Sequence, residues 1–87
     1  MEELKQEIKL LIMEVLGITD VEPDEVGNDD ALFAEGNVMG LDSIDALEIV
    51  MALQEKYGVR IDDKNQSRFI LKSITTISEF ISKNRKN

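Results

Sequence analysis

Six consecutive residues, Gly40-Leu41-Asp42-Ser43-Ile44-Asp45, bring one hydroxyl and two carboxylates close together. Ser43 lies at the start of a stretch whose composition is typical of an apolar helix. A serine in this position has three possible roles. It caps the helix, acts as a nucleophile, or carries a covalently attached group through a phosphodiester. The choice among these three roles decides the function.

Nucleophilic catalysis is the least favoured role for Ser43. An activated serine needs a base within hydrogen-bond reach and an oxyanion hole. The chain has no histidine and no cysteine, and no lysine lies near Ser43 in sequence. The surrounding residues also do not form a Gly-x-Ser-x-Gly motif. We therefore expect a protein that is not an enzyme.

The other two roles stay open on the residues alone. Asp and Ser both cap helices, so either Asp42 or Ser43 could contribute about 0.5–2 kcal/mol of helix stability relative to Ala. A helix N-terminus also stabilises a phosphate group through its free backbone N–H groups and its dipole. Gly40 would let an external enzyme approach the backbone closely.

The helix that follows is predicted to run from Ser43 to Tyr57 and to stop at Gly58. Its apolar residues form two faces, whereas a helix packed against the core on one side needs only a single apolar stripe. One face contains Ile49, Val50, Leu53 and Tyr57. The other contains Ile44, Leu47 and Met51, and it is bordered by Asp42, Asp45 and Glu48. An apolar strip with an acidic border favours a docking face for a partner over additional core.

Two elements are predicted before this helix. Residues 2–16 form an amphipathic helix ending at Gly17, with a stripe that we expect in the core: Leu4, Ile8, Leu11, Ile12 and Val15. Residues 18–41 form a connection too long for an ordinary loop, so we expect short helical turns within it. Ala31, Leu32 and Phe33 are its expected anchor in the core.

Two shorter helices are predicted after it. A third helix begins near Asp62 or Asp63 and reaches Phe69, with an extended stretch to Lys72. The last helix begins at Thr76, where Thr76-Ile77-Ser78-Glu79 resembles a capping box, and it ends in Lys83, Arg85 and Lys86. We therefore expect a single all-α domain over residues 1–87, a four-helix bundle with a long first connection and a short third helix.

The charge pattern restricts the possible partners. The net charge of −8 argues against nucleic acid. Residues 10–55 contain twelve acidic residues and no basic one, which either steers basic partners or keeps a solvated loop soluble. Glu25 occupies the position where an EF-hand starting at Asp20 needs glycine, so we expect no metal site. No apolar run reaches the roughly 18–20 residues of a membrane span, and we expect a cytoplasmic protein.

The stretch from Gly40 to Leu53 resembles the Asp-Ser-Leu motif and second helix of acyl carrier proteins. The likeness extends to the first helix, the long acidic loop, residues 57–61 and residues 73–77. It implies an acyl-carrier-like bundle in which Ser43, beside Asp42, receives 4′-phosphopantetheine from coenzyme A. A separate phosphopantetheinyl transferase makes that attachment, and acyl intermediates then travel as thioesters on the arm.

The resemblance also implies two surfaces. Partner enzymes with basic patches, such as an acyl-ACP synthetase (which loads an acyl group onto the acyl carrier protein), a ketosynthase or an acyltransferase, would bind Ile44, Asp45, Leu47, Glu48 and Met51. The acyl chain could fold against Ile49, Val50, Leu53 and Ile61. We expect a monomer serving fatty acid, polyketide or related lipid biosynthesis.

Several departures from the family pattern favour a specialised carrier over a housekeeping one. Residues 33–40 form a longer approach to the serine than usual, and Lys64 and Arg68 lie in a region that is usually acidic. Two alternatives remain. One is an aminoacyl or peptidyl carrier, and the other is a noncovalent helical interaction module in which Ser43 is only a helix cap.

Overall fold

The computed structural model describes residues 2–34, 36 and 39–85. Within them the chain forms α1 (Glu2–Val15), α2 (Ser43–Tyr57), α3 (Lys64–Ile70) and α4 (Ile74–Asn84), with a 3₁₀ turn at Pro23–Glu25. This described part contains no β-strand. The predicted all-α bundle of four helices is therefore confirmed, including the short third helix and a helical turn inside the long first connection.

Both ends of α2 agree with the sequence-based prediction. Asp42 has extended backbone geometry and caps the first turn. Gly58 ends the helix with φ of 65°, and its N–H donates a hydrogen bond to the Gln54 carbonyl. Residues with a side chain rarely adopt that left-handed conformation, so the glycine determines where the helix stops.

The core lies where α1 packs against α2 and α4, and α3 adds a further contact with α4. Its fully buried aliphatic residues are Ile8, Ile12, Leu32, Ile49, Leu53, Ile74, Ile77 and Ile81. The predicted stripe of α1 is correct except at its end. Val15 is 39% exposed because it lies in the last turn, beyond the packed part of the helix. Lys9 is buried instead, which the sequence pattern did not predict.

The long connection between α1 and α2 is tied to the rest of the molecule at several points. The Lys9 Nζ donates to the Val26 carbonyl at 2.7 Å. The Leu32 N–H donates to the Lys72 carbonyl at 3.0 Å, and the Thr75 N–H donates to the Asn28 carbonyl at 2.9 Å. These bonds hold the connection against α1 on one side and against the junction of α3 and α4 on the other.

The predicted anchor of this connection is partly wrong. Leu32 is fully buried and Phe33 is partly buried against the core. Ala31, however, is exposed. The backbone bond from Leu32 to the carbonyl of Lys72 directs the Leu32 side chain inward, and the preceding residue faces solvent.

Two boundaries near the end of the chain also differ from expectation. α4 begins at Ile74, because Ser73 and Thr76 form the capping box, and Thr76 is its third helical residue. The stretch after Phe69 is not extended, since the Leu71 N–H donates to the Ser67 carbonyl and completes a helical turn. Lys83 lies in the last turn of α4 as predicted, whereas Lys86 lies outside the described residues.

Candidate functional site

Asp42 is the residue that caps α2. Its Oδ1 accepts hydrogen bonds from the N–H groups of Ile44 and Asp45, both at 3.0 Å. The Asp42 N–H in turn donates to Asp45 Oδ2 at 3.0 Å. This reciprocal pair satisfies the donors that a helix start leaves open. The interpretation in which Ser43 is the cap is therefore wrong.

Ser43 is the first residue of α2, and its hydroxyl is available for other chemistry. The side chain is exposed. Among the described residues, the hydroxyl has no hydrogen-bond partner, so none of them acts as a base that activates it. An exposed primary alcohol of this kind suits modification by another enzyme better than nucleophilic catalysis of its own.

The surroundings of Ser43 are more negative than a helix N-terminus would suggest. The sequence predicted free N–H groups for a phosphate, but Asp42 already occupies those of Ile44 and Asp45. An anion attached to the Ser43 hydroxyl would lie beside two carboxylates. Cations that stabilise such an anion must therefore come from elsewhere.

A cleft of about 740 Å³ opens beside Ser43, and we call it the Ser43 cleft. It is formed by the end of the α1–α2 connection, the first two turns of α2, residues 61–63, α3 and the two residues that follow α3. Most of its surface is apolar. Its apolar lining consists of Ala31, Phe33, Ala34, Leu41, Ala46, Leu47, Val50, Ile61 and Leu71.

The four residues expected to face an acyl chain separate into two pairs in the structure. Val50 and Ile61 line the Ser43 cleft. Ile49 and Leu53 do not line it and are buried in the core, 1% and 0% exposed. On α2 the adjacent residues Ile49 and Val50 face the core and the cleft respectively, whereas Ile61 reaches the cleft from the segment between α2 and α3.

Several lining residues escaped the sequence analysis. Leu41 and Leu71 contribute apolar surface from segments that are 30 positions apart. Arg68 and Lys72 also line the cleft. The unusual positive charge of Arg68 was a usable signal, whereas nothing in the sequence places Lys72 near Ser43.

The outer face of α2 consists of Ile44, Asp45, Leu47, Glu48 and Met51. Its three apolar side chains are 68%, 64% and 61% exposed, in chain order. Asp45 is partly buried by its role in the cap, and Glu48 is exposed. Leu47 belongs both to this face and to the Ser43 cleft, so the two features are continuous. Large exposed apolar groups bordered by charge are typical of a protein interface.

Two further properties concern the described residues as a whole. None of their helices is both long and apolar enough to cross a bilayer. They also contain no cluster of three or more His, Cys, Asp or Glu side chains suited to bind a metal ion.

Comparison with known proteins shows the family of the chain. The family model described as phosphopantetheine attachment site matches residues 6–81. An acyl carrier protein from Campylobacter hominis is 33% identical over 84 residues, which cover 95% of this chain and 99% of that protein. The chain therefore belongs to the phosphopantetheine-binding family of acyl carrier proteins.

Membership in this family defines what the protein does. It is an acyl carrier whose cofactor is phosphopantetheine, and it is a carrier protein and not an enzyme. Like other members, it works with a phosphopantetheinyl transferase and with partner enzymes.

Proposed function

We propose that the Ser43 hydroxyl is the attachment point of 4′-phosphopantetheine. The observation that carries this proposal is an exposed hydroxyl, without a hydrogen-bond partner among the described residues, at the mouth of an apolar cleft. The residues fit the group, because Ser43 supplies the oxygen for a phosphodiester and the cleft has room for an attached chain. When bound, the group supplies a thiol, which this chain lacks because it has no cysteine.

The chain's own residues have defined parts in this arrangement. Asp42 holds the start of α2 rigid, so that the Ser43 hydroxyl keeps its position. The described residues offer that hydroxyl no base, so the transferase must accept its proton. Gly40 turns the chain with φ of 59°. Apart from its two neighbours in the chain, no described residue approaches within 4 Å of the space that a side chain would occupy there, which leaves room beside the serine.

An intact-mass measurement tests the attachment point. We expect the wild type to gain the mass of one phosphopantetheine group after incubation with coenzyme A, Mg²⁺ and a broad-specificity transferase. Ser43→Ala should gain nothing, because the acceptor oxygen is gone. Ser82→Ala, which removes another exposed serine from α4, should gain the same mass as the wild type.

The stability of Ser43→Ala tests the alternative of a noncovalent interaction module in which Ser43 is only a helix cap. If Ser43 only capped α2, Ser43→Ala would lower the free energy of unfolding by about 0.5–2 kcal/mol. Because Asp42 is the cap, we expect a change within about 0.5 kcal/mol. An unmodified wild type, or a Ser43→Ala variant that is still modified, would contradict the proposal.

We further propose that the outer face of α2 is the surface on which partners dock. Exposed Ile44, Leu47 and Met51 provide apolar contact area, and Glu48 provides a charge for partner Lys and Arg side chains. Synthetases, ketosynthases and acyltransferases with basic patches are the expected partners. Continuity of this face with the cleft would bring a docked enzyme next to the arm.

The Ser43 cleft is the proposed place for the acyl chain. Val50 and Ile61 contribute to its wall, and Ile49 and Leu53 support that wall from the core. We propose a monomeric carrier domain over residues 1–87, serving a dedicated pathway of fatty acid, polyketide or related lipid synthesis. Its location in the cytoplasm stays a prediction.

A further inference from the structure

Two cations line the same cleft as Ser43. Arg68 lies in the last turn of α3, and Lys72 follows that helix. Both side chains are exposed. They share the lining with Asp42, Asp62 and Asp63, so the cleft contains charges of both signs.

These cations have no partner among the described residues. The ion pairs of that part of the chain are Lys5 with Glu2 and Arg60 with Asp62, so they involve other cations. No hydrogen bond from the side chain of Arg68 or Lys72 reaches another described residue, although the carbonyl of Lys72 accepts the Leu32 N–H at 3.0 Å. That backbone bond fixes the position of Lys72 at the edge of the cleft.

The acidic residues of the cleft are, by contrast, already engaged. Asp42 accepts two N–H groups at the start of α2. Asp63 caps α3, where its Oδ1 accepts the Asn65 N–H at 2.7 Å. Asp62 lies 3.2 Å from the Arg60 Nε. Hydrogen bonding does not remove the charges of these carboxylates, so the lining holds three acidic and two basic residues. The two basic side chains are the ones that have no partner among the described residues.

Helix geometry explains only part of this pattern. A cation in the last turn of a helix interacts favourably with the negative end of the helix dipole. That effect applies to Arg68, but α3 has only seven residues, so the gain is small. It gives no reason for Lys72 to line the cleft.

We propose that Arg68 and Lys72 form an anion-binding wall of the Ser43 cleft. This inference rests on the proposed attachment at Ser43. The ligand is an anionic oxygen group carried into the cleft by the prosthetic arm. It is either the phosphodiester on Ser43, which lies beside two carboxylates, or a carboxylate on the acyl cargo. Guanidinium and ammonium groups bind both kinds of oxygen.

Four forms of the protein distinguish the two sources. They are the apo form, the holo form, and holo forms carrying an eight-carbon acyl chain that ends in a methyl group or in a carboxylate. The thermal unfolding midpoint is measured for each at low salt. If the unfolding midpoint is higher in the holo form than in the apo form, the wall binds the phosphodiester. If it is higher with the carboxylate chain than with the methyl chain, the wall binds the carboxylate of the cargo.

We expect at least one of these rises in the wild type, by roughly 1–4 °C for exposed charge pairs in a chain of this size. In the double variant Arg68→Gln/Lys72→Gln, more than half of that rise should be lost. Arg68→Lys should retain it, because the charge is kept. At 1 M salt, where the Debye length is about 3 Å, the rise should fall in the wild type as well.

The matched control is Lys56→Gln/Lys83→Gln, which removes the same charge at two exposed positions outside the cleft. It should retain the full rise. The apo midpoints show whether each variant is folded. If both rises are absent from the wild type, or equal in the wild type and the Arg68/Lys72 double variant, the anion-binding wall is wrong while the attachment at Ser43 stands. A wild type that gains no mass contradicts the proposed function first, and the wall with it.

Discussion

At the scale of single residues, Tyr57 joins three helices. It lies in the last turn of α2, and its hydroxyl donates a hydrogen bond of 2.6 Å to Glu7 Oε1 on α1. The guanidinium of Arg85, just after α4, lies 5.4 Å from the centre of its ring, a favourable cation–π distance. One side chain thus connects the ends of elements that are distant in sequence.

This environment gives the protein a dependence on alkaline pH. Burial, then the hydrogen bond and charge of Glu7, raise the pKa of Tyr57 above its ordinary value of 10.0, although Arg85 opposes the shift. Because the folded state favours the neutral phenol, the stabilisation is complete below about pH 10 and is lost as the pH rises further toward the folded-state pKa. Tyr57 is the only tyrosine of the chain.

We therefore expect the free energy of unfolding to fall more steeply above pH 10 in the wild type than in Tyr57→Phe. At neutral pH the variant should be less stable by about 1.5–3 kcal/mol, since it loses a hydrogen bond to a charged group. Urea unfolding followed by circular dichroism between pH 7 and 11 measures both effects. Lysines titrate in both proteins, so two parallel pH curves would show that Tyr57 contributes nothing.

The residues around Ser43 show what local sequence can and cannot predict. The types and order of Asp42, Ser43 and Asp45 sufficed to predict a helix start and a candidate modification site. They did not decide which side chain caps the helix, because Asp and Ser suit that position equally well. The structure assigns the cap to Asp42, whose Oδ1 reaches two N–H groups.

At the scale of elements, the sequence predicted both ends of α2 correctly but placed the start of α4 at the wrong residue. Gly58 has no nearby competitor as the end of α2. Asp42 and Ser43 are adjacent, so the choice of cap moves the start by only one residue, and both bounds agree with the structure. Ser73 and Thr76 are both good caps. The structure uses Ser73, because starting there places Ile74 in the core at 0% exposure. Tertiary packing, which a local pattern does not contain, decided between them.

The outer face of α2 leads to a prediction about partner binding. We expect Glu48→Lys to weaken binding of the phosphopantetheinyl transferase by about 3–10-fold at low salt, because it replaces attraction with repulsion. Glu48 is exposed, so the change should not affect folding. Asp45 is less suitable for this test, since its carboxylate accepts the Asp42 N–H.

Glu79→Lys provides the matched control, because it makes the same charge change at an exposed position of α4. Its affinity should stay close to that of the wild type. Surface plasmon resonance at two salt concentrations measures the difference, which should shrink at high salt. Equal affinities for the two variants would contradict docking through this face.

At the scale of the whole molecule, the cleft depends on contacts that no local pattern contains. Its walls come from residues 31–34, the start of α2, and residues 61–72. The Leu32 N–H bond to the Lys72 carbonyl and the Thr75 N–H bond to the Asn28 carbonyl bring two of these segments together. Sequence periodicity predicted the helices but not this pairing, because the two bonds join residues 40 and 47 positions apart, and all of these residues except Thr75 lie outside the helices.

Leu32 should therefore contribute more to stability than its place in a loop suggests. It is 0% exposed, and we expect Leu32→Ala to lower the free energy of unfolding by about 2–5 kcal/mol. Leu10→Ala removes the same atoms at a position 47% exposed and should cost no more than about 0.5 kcal/mol. Urea denaturation measures both, and similar losses would show that the loop is not anchored through Leu32.

The packing of α1 against α4 has a consequence for the order of events during synthesis. The buried residues of α1 meet those of the last helix, so contacts in the core span most of the chain. A nascent chain that has not yet released α4 from the ribosome leaves Ile8 and Ile12 without their final neighbours. Since folding with distant contacts must wait for both partners, we expect the Ser43 cleft to acquire its stable form only after α4 has left the ribosome.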